Sequence, residues 1–170
     1  MVKPYMYIGY HGTSRDSAEK IELTGFRPSV REEDWLGSGV YFFENDFLLA
    51  KAWCSKVKKY GTNWAIFRCK ICADTVLDLL TEEGYEAFRA MAHKIKDRYH
   101  KLPGGGPRRN INKIVVDLIC NVEPVDVIRG AFDASGRKAP PRTNVLPVQV
   151  QLCVRNTDCI TIQEVYTNEH

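Results

Sequence analysis

A chain of 170 residues with 44% apolar and 26% charged content is the size of one domain with one main core. No run of about 18 apolar residues occurs, and Met1-Val2-Lys3-Pro4-Tyr5 opens no hydrophobic segment leading to a cleavage site, so neither spanning nor secretion is signalled. The expectation is a cytoplasmic protein, and a net charge of +3 is too small to mark a dedicated nucleic-acid binder.

In chain order, a first strand is expected over Tyr7 to His11, ended by Gly12, and then a helix from about Ser14 to Thr24 with Ala18 and Ile21 on one face and Gly25 as its stop. Phe26 to Asp34 reads as a polar loop. Val40 to Phe43 reads as a short buried strand. Asn45 or Asp46 caps a helical segment carrying Leu49, Ala50, Trp53, Val57 and Tyr60, which stops at Gly61. Trp64 to Cys72 alternates as a strand.

Glu82 to Lys101 is expected to be a helix whose core face carries Tyr85, Phe88, Ala92, Ile95 and Tyr99, with acidic residues in its positive first turn. Leu102-Pro103-Gly104-Gly105-Gly106-Pro107 breaks the chain as a hinge, lacking the continuation a phosphate-binding loop requires. Ile111, Ile114, Val115, Leu118, Ile119 and Val122 define another amphipathic helix, ended before Pro124. Asp126 to Phe132 reads as a strand, Asp133 to Pro147 as a long loop flanking the active cleft, and Val148 to Arg155 and Ile160 to Tyr166 as two closing strands.

Cys54, Cys69, Cys72, Cys120, Cys153 and Cys159 lie mostly in apolar periodic segments and read as buried thiols, with no disulfide framework. Cys69-Lys70-Ile71-Cys72 has half the spacing of a zinc knuckle without a second pair, so no metal is expected. Basic residues cluster at Lys56 to Lys59, Lys94 to Lys101, Arg108-Arg109 with Lys113, and Arg137-Lys138 with Arg142. Such clusters suit a ligand carrying a pyrophosphate, or a nucleic-acid acceptor.

The motifs that carry chemistry are Tyr10-His11-Gly12-Thr13-Ser14 and Leu36-Gly37-Ser38-Gly39-Val40-Tyr41-Phe42-Phe43, the second continued by Ala50-Lys51-Ala52-Trp53-Cys54. A glycine beside a histidine lets backbone approach a ligand closely, and an aromatic strand residue offers a flat face for stacking. In this order the motifs resemble the ADP-ribosyltransferase superfamily, in its diphtheria-toxin and poly(ADP-ribose)-polymerase-like branch, whose signature is His, Tyr and a third polar residue, commonly Glu.

That resemblance implies an α+β fold of the split β-sandwich type, two small antiparallel sheets around an NAD cleft, as one domain over residues 1–170 with a helical insertion at about 81–123. It implies that His11 bonds the adenosine-side ribose, that the Gly12 backbone holds the nicotinamide carboxamide, and that Tyr41 stacks on the nicotinamide ring. Thr13, Ser38, Gly39 and Trp53 complete the implied NAD-binding set, with NAD a substrate and no metal involved.

Aligning Leu152-Cys153-Val154-Arg155-Asn156 with the family's last strand puts Gln151 where a catalytic glutamate often stands. A carboxylate there stabilises the oxocarbenium-like transition state, whereas an amide bonds a ribose hydroxyl without charge. Three readings stay open: Gln151 suffices for single-unit transfer, Glu164 supplies the carboxylate, or catalysis is lost.

The resemblance therefore implies a mono-ADP-ribosyltransferase with a macromolecular acceptor, the basic clusters slightly favouring nucleic acid over protein. By analogy it is an intracellular toxin or phage-defence effector, with an antitoxin or regulatory protein as a conceivable partner and no membrane involved. The alternatives are an inactive NAD or ADP-ribose reader, and a related RNA 2′-phosphotransferase or NAD glycohydrolase.

Overall fold

In the computed structural model β1 (Tyr5–Ser14) and β3 (Trp64–Ala73) pair antiparallel along their whole length, from Tyr5 opposite Ala73 to Ser14 opposite Trp64. The structure describes residues 4–31, 34–98, 111–133, 138–143, 145 and 147–168. The remaining strands are β2 (Val40–Glu44), β4 (Val76–Asp78), β5 (Val127–Asp133), β6 (Val148–Val154) and β7 (Ile160–Thr167). They form a seven-stranded mixed sheet in the order β4-β5-β6-β2-β1-β3-β7, with β4 and β5 parallel and every other pair antiparallel. Among the described residues, four α-helices, α1 (Arg15–Thr24), α2 (Phe47–Ala52), α3 (Glu82–Ile95) and α4 (Ile111–Val122), complete an α+β architecture. No described helix is long and apolar enough to cross a membrane.

Hydrogen bonding joins all seven strands, where two small antiparallel sheets were expected. The joint is narrow. β1 and β2 pair at Gly9 with Glu44 and at Tyr10 with Phe43, and beyond those residues the strands part. Arg129 on β5 reinforces the joint by donating to Glu44 at 2.7 Å and to Asp78 at 3.1 Å, with its guanidinium 6.0 Å from the Tyr7 ring centroid.

Local chemistry explains most element ends. The first strand does not stop at Gly12 but runs to Ser14, because β3 supplies pairing partners throughout. Ser14 then caps α1 by accepting from the Ser17 amide, and Gly25, at φ +77°, ends it in the left-handed region. Asp46 caps α2 by accepting from the Leu49 amide. That helix is shorter than expected: it loosens into a π turn over Trp53–Val57, and Lys59 at φ 54° closes it before Gly61.

α3 ends at Ile95, with a turn over residues 96–98; the expected extension through Tyr99 and Lys101, the Leu102–Pro107 hinge and Arg108-Arg109 lie outside the described residues. Tyr85 is exposed, so the inward face of α3 is carried by Phe88 and Ile95. Arg137 and most of the expected Asp133–Pro147 loop likewise fall outside the description or among its short separate segments.

The period-2 alternation of the strands separates the apolar layers. Val40, Phe42, Phe67, Cys69, Ile71, Leu152 and Val154 face α1, where Ala18 and Ile21 close over them. Tyr41, Ile128 and Cys153 face α3 and α4 through Phe88, Val116, Ile119 and Cys120. Ile66 and Trp64 meet Ala50 and Cys54 of α2 and its π turn. Each fully buried large side chain, such as Phe42 or Phe67, contributes about 1.5–3 kcal/mol of transfer free energy.

Two cysteines depart from the buried-thiol reading: Cys72 is exposed and Cys159 half-buried. Cys69 and Cys72, three apart on β3, point to opposite faces and cannot share a metal ion. Among the described residues no cluster of three or more His, Cys, Asp or Glu could hold a metal.

Candidate functional site

The parting of β1 from β2 makes the site. Where a backbone ladder bond would continue, the His11 side chain takes its place: Nδ1–H donates to the Tyr41 carbonyl at 2.8 Å. The acceptor being a carbonyl, Nδ1 carries the proton in the neutral ring, and Nε2 is left as an acceptor with no hydrogen-bond partner among the described residues. The ring packs edge-on against Phe26 and at a tilt on Phe42, with centroids 5.3 and 5.6 Å away. Burial pulls its pKa below the ordinary histidine value, against the opposing effect of the Tyr41 bond.

A cleft of about 1040 Å³ opens there, at the upper end of the range for ligand sites. His11, Gly12, Thr13, Gly39, Tyr41, Trp53 and Gln151, scattered over 140 residues of sequence, all lie on its wall. Ser38 does not. Its hydroxyl accepts from Lys113 Nζ at 2.8 Å, and its amide donates to Asp117, which turns it toward α4. Glu164 is also absent from the wall: it sits exposed on edge strand β7, paired with Arg68 in register and hydrogen-bonded by the Tyr166 hydroxyl.

Gly12 is required for close approach, because a Cβ there would meet Cys54 Sγ at 2.5 Å and the Ala50 carbonyl oxygen at 3.0 Å. Gly39 is similar, with Cys153 Sγ at 2.5 Å and the Val154 carbonyl oxygen at 2.8 Å. Gly39 also exchanges two backbone hydrogen bonds with Ser29, which fastens the loop after α1 alongside β2 as one wall of the cleft.

The Tyr41 phenol is pinned. Its hydroxyl accepts from the Leu36 amide at 2.9 Å and donates to the Gly37 carbonyl at 2.7 Å. Burial, aided by nearby Cys153, raises its pKa far above the usual tyrosine value, so the phenol stays protonated. Behind it, Asp117 on α4 accepts from Arg155 at 2.8 Å and from Lys113 at 3.1 Å. Burial favours the neutral acid, but these bonds and the Lys113 charge prevail and hold its carboxyl below the usual aspartate range.

Several wall residues were not foreseen. Gln149 stands two residues before Gln151 on the same face of β6, so two neutral amides share that side; the Gln-x-Gln spacing carried this signal. Lys20 of α1 and Arg27 and Arg31 of the following loop join Lys58, which lies 5.0 Å from the Trp53 ring centroid. Against these four cations the described wall carries one carboxylate, Asp34. A wall of this balance attracts an anionic ligand, and Trp53, Tyr41, Phe26 and Tyr60 offer it apolar and aromatic surface.

No family model matches the chain. It is similar to an uncharacterized protein of Methanocaldococcus jannaschii, 29% identical over 188 aligned positions that span 94% of this chain and 87% of the relative. The similarity thus extends through nearly the whole domain and is not confined to the cleft motifs.

Proposed function

We propose that the chain is a mono-ADP-ribosyltransferase that moves ADP-ribose from NAD to a macromolecular acceptor and releases nicotinamide. The observation that carries this reading is the convergence of His11, Tyr41 and Gln151 on one cationic cleft at the β1–β2 parting. On this reading the fold is a variant of the split β-sandwich in which that parting is the split.

The residues suit the parts of the reaction. Lys20, Arg27, Arg31 and Lys58 match the charge of a pyrophosphate. The free Nε2 of His11 can accept a ribose hydroxyl, and the tight glycine at position 12 leaves its backbone open to a carboxamide. Tyr41 and Trp53 provide faces for an electron-poor ring. The bond from ribose C1 to the nicotinamide nitrogen breaks, and its electron pair leaves with nicotinamide. An acceptor lone pair then bonds C1 and the acceptor loses a proton.

Lys51, Lys56 and Lys59, exposed and close in sequence to the wall residues Trp53, Val57 and Lys58, favour a nucleic-acid acceptor over a protein. A second reading, a non-catalytic NAD or ADP-ribose reader, is favoured by the neutral Gln149 and Gln151 on β6.

Incubating the protein with labelled NAD, alone and with RNA, DNA or cell lysate, tests both. Nicotinamide release with label transfer, abolished by His11→Ala and by Tyr41→Ala, supports the transferase. NAD binding without release in any mixture supports the reader. Movement of a 2′-phosphate from RNA onto NAD supports a phosphotransferase instead.

A further inference from the structure

The proposed transfer requires positive charge to be stabilised on the ribose, yet β6 brings only amides to the wall. We infer that Asp34 supplies the carboxylate of this cleft, from the loop ahead of β2 and not from the strand that carries Gln151. The inference rests on the transferase reading.

Asp34 is half-buried and is the one carboxylate on the wall among the described residues. Its two oxygens are differently used. Oδ2 accepts from the Ser29 hydroxyl at 2.8 Å and from the Arg31 amide at 2.8 Å, which fixes the plane of the group. Oδ1 has no hydrogen-bond partner among the described residues.

The residue is also tied to the rest of the site. Ser29, which holds it, is bonded through its backbone to Gly39 at the start of β2. Two positions further on, Leu36 and then Gly37 grip the Tyr41 hydroxyl. Its negative charge adds to the effects that keep Tyr41 and Cys153 protonated, which places it near both. Lys20, Arg27, Arg31 and Lys58 leave the surrounding field positive, so a carboxylate here is an exception to the charge of the wall.

In the reaction, Oδ1 faces the positive charge that develops on the ribose as nicotinamide departs with the bonding pair. When the acceptor lone pair closes on C1, the acceptor proton passes to Oδ1 and then to water. The competing role is structural: Asp34 closes the turn with Arg31. Asparagine would serve that role equally, because its amide oxygen accepts the same two hydrogen bonds.

The experiment compares Asp34→Asn, Asp34→Glu, Glu32→Gln and Glu33→Gln with the unaltered protein, reading nicotinamide release, NAD affinity by calorimetry, and Tm. Expected for Asp34→Asn are a loss of about 100-fold in kcat, an NAD Kd within about threefold and an unchanged Tm. Asp34→Glu recovers part of the turnover, giving the order Asp, Glu, Asn. Glu32→Gln and Glu33→Gln stay within about threefold. The order Asp equal to Asn and above Glu, or a loss confined to Glu32→Gln or Glu33→Gln, overturns the inference while leaving the transferase standing. Unaltered protein that releases no nicotinamide overturns both.

Discussion

The His11 ring donates from Nδ1 to the Tyr41 carbonyl at 2.8 Å across the gap between β1 and β2, a side chain doing the work of a missing ladder bond. This single contact couples the His-Gly motif to the Gly-x-Tyr strand, fixes the imidazole tautomer, and leaves Nε2 without a hydrogen-bond partner among the described residues.

The contact has a pH signature. Burial lowers the folded-state pKa of His11, so the unfolded chain binds its proton first as pH falls. Stability from this group is complete above the unfolded value of about 6.5 and declines as pH drops from there toward the folded value. Thermal melts from pH 7.5 to 5 should show unaltered protein losing more Tm than His11→Gln. Parallel curves would mean that the ring is not held neutral. If Nε2 is the acceptor, NAD affinity should hold over the same interval, because the buried ring stays neutral there, and weaken only as pH falls through the lower folded value.

Gly12→Ala should destabilise by about 1–3 kcal/mol, because the added methyl overlaps Cys54 Sγ and presses on the Ala50 backbone. Adding Cys54→Ala should recover part of the loss by removing the nearer obstacle. Urea melts of the single and double variants read this directly. A double variant no better than Gly12→Ala would assign the strain to the Ala50 carbonyl alone.

The cationic wall should govern ligand affinity. Arg27→Ala and Arg31→Ala should each weaken NAD binding by about tenfold, and the loss should shrink at high salt as screening weakens the original attraction. Arg142→Ala, away from the wall, should leave affinity unchanged. Calorimetry at two ionic strengths distinguishes this from a collapse of the loop, which would be insensitive to salt.

Asp117 should make the Tyr41 loop acid-sensitive. Its carboxyl pKa is depressed when folded, so its contribution is present above the unfolded value of about 3.9 and is lost as pH falls through the folded one. Asp117→Asn should therefore lower Tm at pH 7, and the gap from unaltered protein should close in strong acid. The variant should also mobilise Ser38, whose amide and hydroxyl are bonded to Asp117 and Lys113, which amide exchange at residues 36–39 would reveal.

Much of this domain is written in local chemistry. Ser14, Gly25 and Asp46 mark helix ends by capping and by positive φ, and the alternation in Trp64–Ala73 and Val148–Val154 specifies strands, because both depend on neighbours within a few residues. His11, Tyr41 and Gln151 could be singled out from the order of their motifs alone. Their meeting could not, since it depends on β6 pairing with β2 and on β1 leaving β2 after Tyr10.

Tertiary structure decided the rest. Ser38 belongs to a plausible motif, but the helix opposite it offers Lys113 and Asp117, and those charges turn it away from the cleft. Glu164 offers a carboxylate of the kind the resemblance calls for, yet the sheet order sends β7 to the far edge. Lys20, Arg27, Arg31, Asp34 and Gln149 acquire a shared surface only when α1, its following loop and β6 are brought around one gap. Sequence determines which side chains can hydrogen-bond, carry charge or alternate in burial; long-range strand pairing determines which of them share a cavity, because no local interaction spans those separations.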